Sequence, residues 1–363
     1  MGQIIAKAIE IPVVTVGMDV GDRYSYLCVL NESGAVLEEG RVPTTPDALR
    51  ARFGKTDRVR IVIEAGTNSP WISRLLADCG HEVIVANARR VRLIYESDSK
   101  NDRGDAVALA RLGRLDPALL SPIQHRGEAA QRDLALIRAR DALVRTRTLL
   151  VNHVRGAVKS VGGRLPSCST HSFVRQVREA IPEAVQEALA PVLATIESIS
   201  REIHVFDKRV EELAKAEYPE TALLRAVPGV GALTALCYVL TIEDPDRFAN
   251  SRKVGAYLGL RPRLDKSGMS APALRITKAG DVMLRHLLAG SAQYILGPFG
   301  PDTDLRRWGL KLAATGGKNA KKRAVVAVAR KLAVLLHRLW STGEVYEPLH
   351  RAMRIQAAEM TAV

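Results

Sequence analysis

The chain has 363 residues, a formal net charge of +14, and 47% hydrophobic but only 4% aromatic residues. This length allows two or three domains with their own cores, and the composition is typical of a soluble, helix-rich protein. Charged residues interrupt the longest apolar run, so we expect no membrane-spanning segment. The N-terminus lacks the pattern of a secretion signal. These features exclude membrane and secreted classes and favour a cytoplasmic protein.

The positive charge is concentrated in the C-terminal part of the chain. Residues 221–363 contain 22 Lys and Arg against 10 Asp and Glu, whereas the rest contains 31 against 29. A domain with such a basic excess usually binds a polyanion, and nucleic acid is a more common partner than a membrane surface. The cysteines form no CxxC pair and have no nearby His. We therefore expect reduced thiols and no zinc site.

The first part of the chain, residues 11–163, is predicted to be α/β. VVTVGMDV is a β-branched run typical of a buried strand, and YSYLCVLNE and AVLEEGRVP follow as two further strands around a Ser-Gly turn. A short helix, Pro46 to Phe53, precedes the strand RVRIVIEAG. The segments SPWISRLLADCG, HEVIVANA and DAVALARLGRL then predict helix, strand and helix. Three strands followed by helix, strand, helix, strand and helix is the ribonuclease H topology.

Four acidic residues lie where these predicted elements begin or end. Asp19 is near the end of the first strand and Glu64 ends the fourth; in this topology the two strands are neighbours, about 4.8 Å apart. Asp102 and Asp105 share one face at the head of the last helix, where the helix macrodipole alone would also favour them. Burying four carboxylates together is costly. Their convergence therefore indicates two Mg²⁺ ions that clamp a phosphodiester.

A different class of protein shares the opening of this pattern. A strand that ends in Asp-Val-Gly before a hairpin also begins the actin-like and sugar-kinase ATPases. Those proteins need a second, Gly-rich phosphate loop that contains Asp, and EAGTNS at residues 64–69 has too few glycines for that role. The sequence therefore favours the ribonuclease H interpretation.

Two helical segments connect the halves of the chain. Residues 126–162 form a run without Pro, with eight Lys and Arg against three acids, which fits either a solvated face or a helix along a nucleic-acid backbone. In residues 172–218, apolar residues recur at alternating spacings of four and three, the heptad pattern of a coiled coil. Because no other helix is evident nearby to bury this stripe, we expect association between chains, with the regular helix starting at Pro191. The stripe consists of Val185, Leu189, Val192, Ile196, Ile199, Ile203, Phe206, Val210 and Leu213.

The C-terminal part, residues 221–345, contains three basic elements. In LLRAVPGVGALTALCYVL, Gly229 and Gly231 would let amides at the start of the second helix approach a phosphate, as in a helix-hairpin-helix element; an ordinary turn between helices explains the same pattern. A basic loop centred on Ser267 follows, and then a helix that begins with cations. The cations expected to contact phosphates are Arg261, Arg263, Lys266, Arg275 and Lys278 in the loop and Lys318, Lys321, Lys322 and Arg323 at the helix start.

Taken in order, VGMDVG, VIEAGT, KNDRGDA, PGVG, GLRPRLDKSG and ITKAGD resemble the DEDD insertion-sequence transposases, whose members include bridge-RNA-guided recombinases. The resemblance spans nearly the whole chain. It implies a RuvC-like catalytic domain of ribonuclease H type at 11–163, a coiled coil at 172–218 and a mainly helical transposase domain at 221–345.

The resemblance also implies which residues act. The metal-binding acids would be Asp19, Glu64, Asp102 and Asp105. The catalytic serine would be Ser267, with Ser270 open as the alternative if the loop register differs.

The chemistry implied by the resemblance is covalent. The serine would attack a DNA phosphodiester and form a transient phosphoserine bond, while carboxylate-bound Mg²⁺ stabilises the developing charge. A noncoding RNA from the element would pair with target and donor DNA, and a dimer or tetramer would act at the bacterial nucleoid. Two alternatives stay open: a RuvC-type resolvase that uses water without a covalent intermediate, and a decayed copy that only binds nucleic acid.

Overall fold

The computed structural model describes residues 14–89, 101–264, 274–317 and 319–350. The chain divides into two compact units, the first ending at Arg126 and the second beginning at Gly127. The sequence analysis instead placed the end of the first domain at residue 163, which keeps residues 126–162 together with the sheet. That boundary between functional domains stays a prediction. Within the described ranges, no helix combines the length and the apolar character needed to cross a membrane.

The first unit is built on a five-stranded mixed sheet in the order β3-β2-β1-β4-β5. Its strands are β1 Thr15–Val20, β2 Tyr24–Leu30, β3 Val36–Pro43, β4 Arg60–Glu64 and β5 Glu82–Ala86. The meander β1-β2-β3 is antiparallel, whereas β4 is parallel to β1 and β5 is parallel to β4. This is the predicted order, with β1 and β4 as neighbours, and it gives an α/β nuclease-like unit.

Helices cover both faces of this sheet: α1 Pro46–Phe53, α2 Ser69–Asp78 and α3 Asp102–Leu115. Side chains alternate between the faces of a strand. Met18 of β1 is fully buried and joins a core with Phe53 and Ile72 from α1 and α2. The opposite face packs against α3, where Ala106 and Ala110 are fully buried. Small residues on α3 let that helix lie close to the strands.

The second unit is mainly helical in its described residues. The helices are α4 Glu128–Ser160, α5 Phe173–Val177, α6 Glu183–Ala216, α7 Thr221–Arg225, α8 Ala232–Ile242, α9 Arg252–Tyr257, α10 Val282–Leu296, α11 Asp304–Ala313 and α12 Ala320–Thr342. The apolar helix α8 is at the centre of the main core, with α10 and α12 packed around it. Tyr238 of α8 is fully buried, and its hydroxyl donates a hydrogen bond of 2.7 Å to the carbonyl of Ala333.

The heptad stripe of α6 has its partner within the same chain. Leu189 and Ile196 of α6 are buried in one apolar cluster with Val151 and Val154 of α4. We expected association between chains because we assumed that no other helix buries this stripe. That assumption was wrong: α4 and α6 pack against each other, although a polar segment separates them in sequence. The stripe gives no reason to expect an intermolecular coiled coil.

The start of α6 also differs from the prediction. The helix begins at Glu183 and contains Pro191 in its interior, although an interior proline costs about 3 kcal/mol. Leu189 is buried on the same face as the rest of the stripe. Apolar packing of the turns before the proline outweighs the lost backbone hydrogen bond.

Candidate active site and nucleic-acid interface

Asp19 and Glu64 lie side by side at the end of two parallel strands. The last registered pair of β1 and β4 is Met18 with Ile63, so Asp19 and Glu64 are the next residues on their strands. Both are half-buried. Gly17 lies two positions before Asp19, and Val62 lies two positions before Glu64; α3 covers both Gly17 and Val62. Because side chains alternate between the faces of a strand, Asp19 and Glu64 are on the face that α3 covers.

Helix α3 runs antiparallel to β1 and β4. Its last turn is near the beginning of β1, because Arg114 donates a hydrogen bond of 3.0 Å to the carbonyl of Glu32, just beyond the strand end that pairs with Thr15. Its first turn, with exposed Asp102 and half-buried Asp105, therefore points to the end of the sheet where β1 and β4 finish. The four acids are all directed to that one end.

The start of α3 is fixed by a cap that the sequence analysis did not use. The side-chain oxygen of Asn101 accepts a hydrogen bond of 2.7 Å from the amide of Gly104, the usual role of Asn at this position. Arg103 bonds to Glu39 of β3. Both contacts hold the first turn of α3, and KNDRGDA thus contains the cap as well as the two acids.

In the described residues, the carboxylates do not form a complete metal-binding site. Across the four described ranges, no three His, Cys, Asp or Glu side chains come close enough together to hold a metal ion. Within those ranges, Glu64, Asp102 and Asp105 also take part in no salt bridge. Carboxylates directed to one end of a sheet are chemically suited to a hard divalent cation.

A Ser-His contact that sequence reasoning missed holds the loop after Glu64. The buried hydroxyl of Ser69 lies 2.9 Å from Nε2 of His125 and accepts a hydrogen bond of 2.9 Å from the amide of Gly66. Burial, followed by the neighbouring cations Arg74 and Arg126, lowers the pKa of His125, so the neutral ring is favoured. No spacing pattern links residues so far apart in sequence.

The loop that contains the candidate nucleophile is closed at its base. The amide of Arg263 donates to the carbonyl of Arg275, and the amide of Thr277 donates to the carbonyl of Arg261, each at 2.9 Å. Gly259 has a φ of +69°, and a Cβ there would be 2.0 Å from the carbonyl oxygen of Ala279. The motifs GLRPR and ITKAG therefore form one ladder, whereas Ser267, Lys266 and Ser270 lie in residues 265–273, outside the described ranges.

Exposed cations surround this ladder and the start of α12. Arg261, Arg263, Arg275 and Lys278 are exposed, as are Lys321, Lys322 and Arg323; Lys318 lies outside the described residues. The first turn of α12 contains no acid, and cations are unfavourable at the positive end of a helix macrodipole. An anionic partner would offset that cost.

The two glycines of the PGVG turn have different roles. Gly229 has a φ of +82°, and a Cβ there would lie 2.9 Å from the ring of Tyr294 on α10, so this glycine is needed for the turn and for its packing. Gly231 caps α8, has a φ of −88° and has open space where a Cβ would be. Only Gly231 therefore lies at an accessible helix start.

Comparisons with known proteins match both halves of this arrangement. A DEDD transposase model of the IS110 type, described as a transposase, matches residues 16–162, and a model described as the IS116/IS110/IS902 transposase family matches residues 221–302. The transposase for insertion sequence element IS1111A from Coxiella burnetii is 30% identical over an alignment of 343 residues, and the match covers 91% of this chain and 90% of that protein. The chain belongs to the IS110 family of DEDD transposases.

Two other relatives extend the comparison. A putative transposase of Sinorhizobium fredii, y4pF/y4sB, is 28% identical and covers 81% of this chain and 76% of its own length. The pilin gene-inverting protein of Moraxella bovis is 24% identical and covers 78% of this chain and 80% of its own length. The ranges matched by the two family models include the four acids and the loop around Ser267. The protein is thus a transposase, an enzyme that acts on DNA.

Gly17 provides a test of how α3 positions the acids. A Cβ at Gly17 would lie 2.1 Å from the carbonyl oxygen of Ala106, a backbone atom of α3. We expect Gly17→Ala to lower the free energy of unfolding by about 3 kcal/mol and to reduce DNA cleavage, because α3 must move. Urea unfolding measures the first effect.

The matched control is a glycine in the same sheet. A Cβ at Gly40 of β3 would meet only the Glu38 carboxylate oxygen, at 4.0 Å. Gly40→Ala should stay within about 1 kcal/mol of the wild type. Equal stability of the two variants would contradict the close packing of α3 on β1.

Proposed function

We propose that this transposase excises and integrates its insertion sequence by serine attack on DNA phosphodiesters, assisted by Mg²⁺ and guided by a noncoding RNA of the element. The observation that carries the proposal is the direction of Asp19, Glu64, Asp102 and Asp105 to one end of a ribonuclease H-type sheet. A fold gains no stability from directing four carboxylates to one end of a sheet. Function is the better explanation of that arrangement.

The four acids are the proposed ligands of the metal. Their donor set consists of carboxylate oxygens, which Mg²⁺ prefers. Bound Mg²⁺ would supply electrostatic stabilisation of negative charge on the phosphate. The protein's own part is to hold these side chains at the end of β1 and β4 and at the capped start of α3.

Ser267 is the proposed nucleophile. Its Oγ would form a bond to phosphorus while the bond from phosphorus to a deoxyribose oxygen breaks. The serine proton would pass to a carboxylate, and the departing oxygen would take up a proton. The cations of the ladder, Arg261, Arg263 and Arg275, would hold the DNA backbone next to this serine.

Strand exchange is favoured over simple hydrolysis by one relative. The Moraxella bovis relative is named for inverting a pilin gene, and inversion requires DNA ends to be rejoined. A covalent phosphoserine conserves the energy of the broken phosphodiester for that rejoining, whereas attack by water does not. The recombinase is therefore preferred to the resolvase and to a protein that only binds nucleic acid.

The proposed partners are target DNA, donor DNA, a guide RNA and further copies of the chain as a dimer or tetramer, in the bacterial cytoplasm. The basic excess of residues 221–363, 22 Lys and Arg against 10 Asp and Glu, would serve both nucleic acids. Gly231, Lys278 and the cations at the start of α12 would contribute to that surface, and Gly229 would shape the turn that presents Gly231.

The proposal that an RNA guides the transposase is tested by asking whether recombination requires that RNA. We expect protein purified from cells that carry the whole element to retain one discrete noncoding RNA, and recombination of a two-site plasmid to need it. RNase treatment should abolish recombination, and adding back the transcribed RNA should restore it. Undiminished recombination by RNase-treated protein would refute guidance by RNA while leaving the DNA chemistry to be judged separately.

A further inference from the structure

The second unit contains a groove of about 1330 Å³, to which no function has been given above. Its walls are α4, the PGVG turn with the start of α8, and α10. Gly231 has open space on its Cβ side. The free amides of the first turn of α8 therefore lie next to an open groove.

The groove presents an exposed arginine to an anionic chain. Four arginines line it, and each is paired with an acid: Arg138 with Asp281, Arg140 with Asp207, Arg145 with Asp141 and Arg225 with Glu211. Arg145 is 74% exposed and its partner Asp141 is a neighbour on the same helix, and exposed pairs of this kind contribute little. A phosphate can therefore recruit Arg145 at low cost.

The remaining lining is apolar and includes an aromatic ring. Val282 and Tyr294 of α10 are 70% and 47% exposed, and both line the groove. A duplex keeps its bases stacked on one another and presents mainly phosphates. Aromatic rings next to arginines instead suit unpaired strands, whose bases stack on the ring.

We propose that this groove binds an unpaired nucleic-acid strand, with phosphates at the start of α8 and along the α4 arginines and a base against Tyr294. The inference rests on the proposal that the transposase handles guide RNA and opened DNA. It does not depend on Ser267 or on Mg²⁺. The ligand is an unpaired phosphodiester strand, and either RNA or DNA can supply it.

The test measures binding in EDTA, so that cleavage plays no part. Full-length protein is titrated against fluorescein-labelled oligo(dT), oligo(rU) and a mixed-sequence duplex of similar length, and fluorescence anisotropy gives each Kd. The central comparison is Gly231→Asp with Gly231→Asn. Asp and Asn cap helices about equally well, so both variants should fold, but only Asp places a negative charge where a phosphate would lie.

We expect Gly231→Asp to bind single strands about tenfold more weakly than Gly231→Asn, a difference of about 1.4 kcal/mol. Arg145→Ala should bind several-fold more weakly than the wild type. The matched control is Arg132→Ala, since Arg132 is also on α4, is 73% exposed and is paired with an acid on its own helix, but does not line the groove.

The outcomes separate the sources of the strand. Tighter binding of oligo(rU) by the wild type would assign the groove to RNA, and tighter binding of oligo(dT) would assign it to DNA. Equal Kd values for Gly231→Asp and Gly231→Asn, or equal losses in Arg145→Ala and Arg132→Ala, would overturn the proposal. So would a duplex that binds more tightly than either single strand and is weakened by the same variants.

Discussion

Replacing Ser267 by Ala is expected to abolish strand exchange and the covalent protein–DNA adduct together. The hydroxyl is the proposed nucleophile, and the methyl group of alanine cannot form a bond to phosphorus. We expect a loss of about three orders of magnitude in rate, equivalent to about 4 kcal/mol. Incubation of protein, RNA and labelled cognate DNA, followed by denaturation, shows the adduct as label that migrates with the protein.

Ser270→Ala is the matched control for this prediction. It removes a hydroxyl three residues away in the same loop, and it should keep at least part of both the adduct and strand exchange. The reverse result, with Ser270→Ala inactive and Ser267→Ala active, would move the nucleophile to Ser270. Cleavage by Ser267→Ala, together with no adduct in the wild type, would make water the nucleophile and the enzyme a resolvase.

The sheet was predictable because its signals are local. β-branched runs bounded by turns identify the strands of the first unit, and the order of strands and helices leaves few topologies once crossovers are required to be right-handed. The neighbouring positions of Asp19 and Glu64 follow from that order. The prediction of α1 as Pro46–Phe53 matches the structure at both ends.

The pairing of α4 with α6 was not predictable in the same way. Heptad spacing shows that one face of α6 is buried, but it does not say which surface buries it. Val151 of α4 is far from Leu189 in sequence, and the charged residues of α4 resemble a solvated face. The partner of an amphipathic helix is decided by tertiary packing, which the period alone does not contain.

The detailed geometry of the site also could not be predicted from the sequence. The motif VGMDVG contains Gly17, but only the structure shows that its missing Cβ leaves room for the backbone of α3. Likewise, Gly229 and Gly231 look equivalent in PGVG, although one is packed against Tyr294 and the other is open. Spacing places such residues at an element end; contacts between elements determine what they do there.

Neutralising one acid of the site should remove cleavage while leaving the fold intact. Glu64→Gln and Asp102→Asn keep the shape of the side chain but remove a charge proposed to hold Mg²⁺. Metal-assisted stabilisation is worth several kcal/mol, so we expect cleavage to fall by about a thousandfold in either variant. Glu64 has no salt bridge within the described residues, so its loss should not weaken the fold.

Stability provides a readout that is independent of activity. Mg²⁺ that binds the folded state raises the melting temperature of the wild type, and Glu64→Gln should lose most of that rise. Without Mg²⁺, the variant should be at least as stable as the wild type, because it relieves repulsion among the carboxylates. Glu38→Gln is the control, since Glu38 is an exposed carboxylate on β3 that pairs with Arg52 at 2.7 Å, away from the ends of β1 and β4. Full cleavage in EDTA, or full cleavage by both Glu64→Gln and Asp102→Asn, would show that these acids do not hold a catalytic metal.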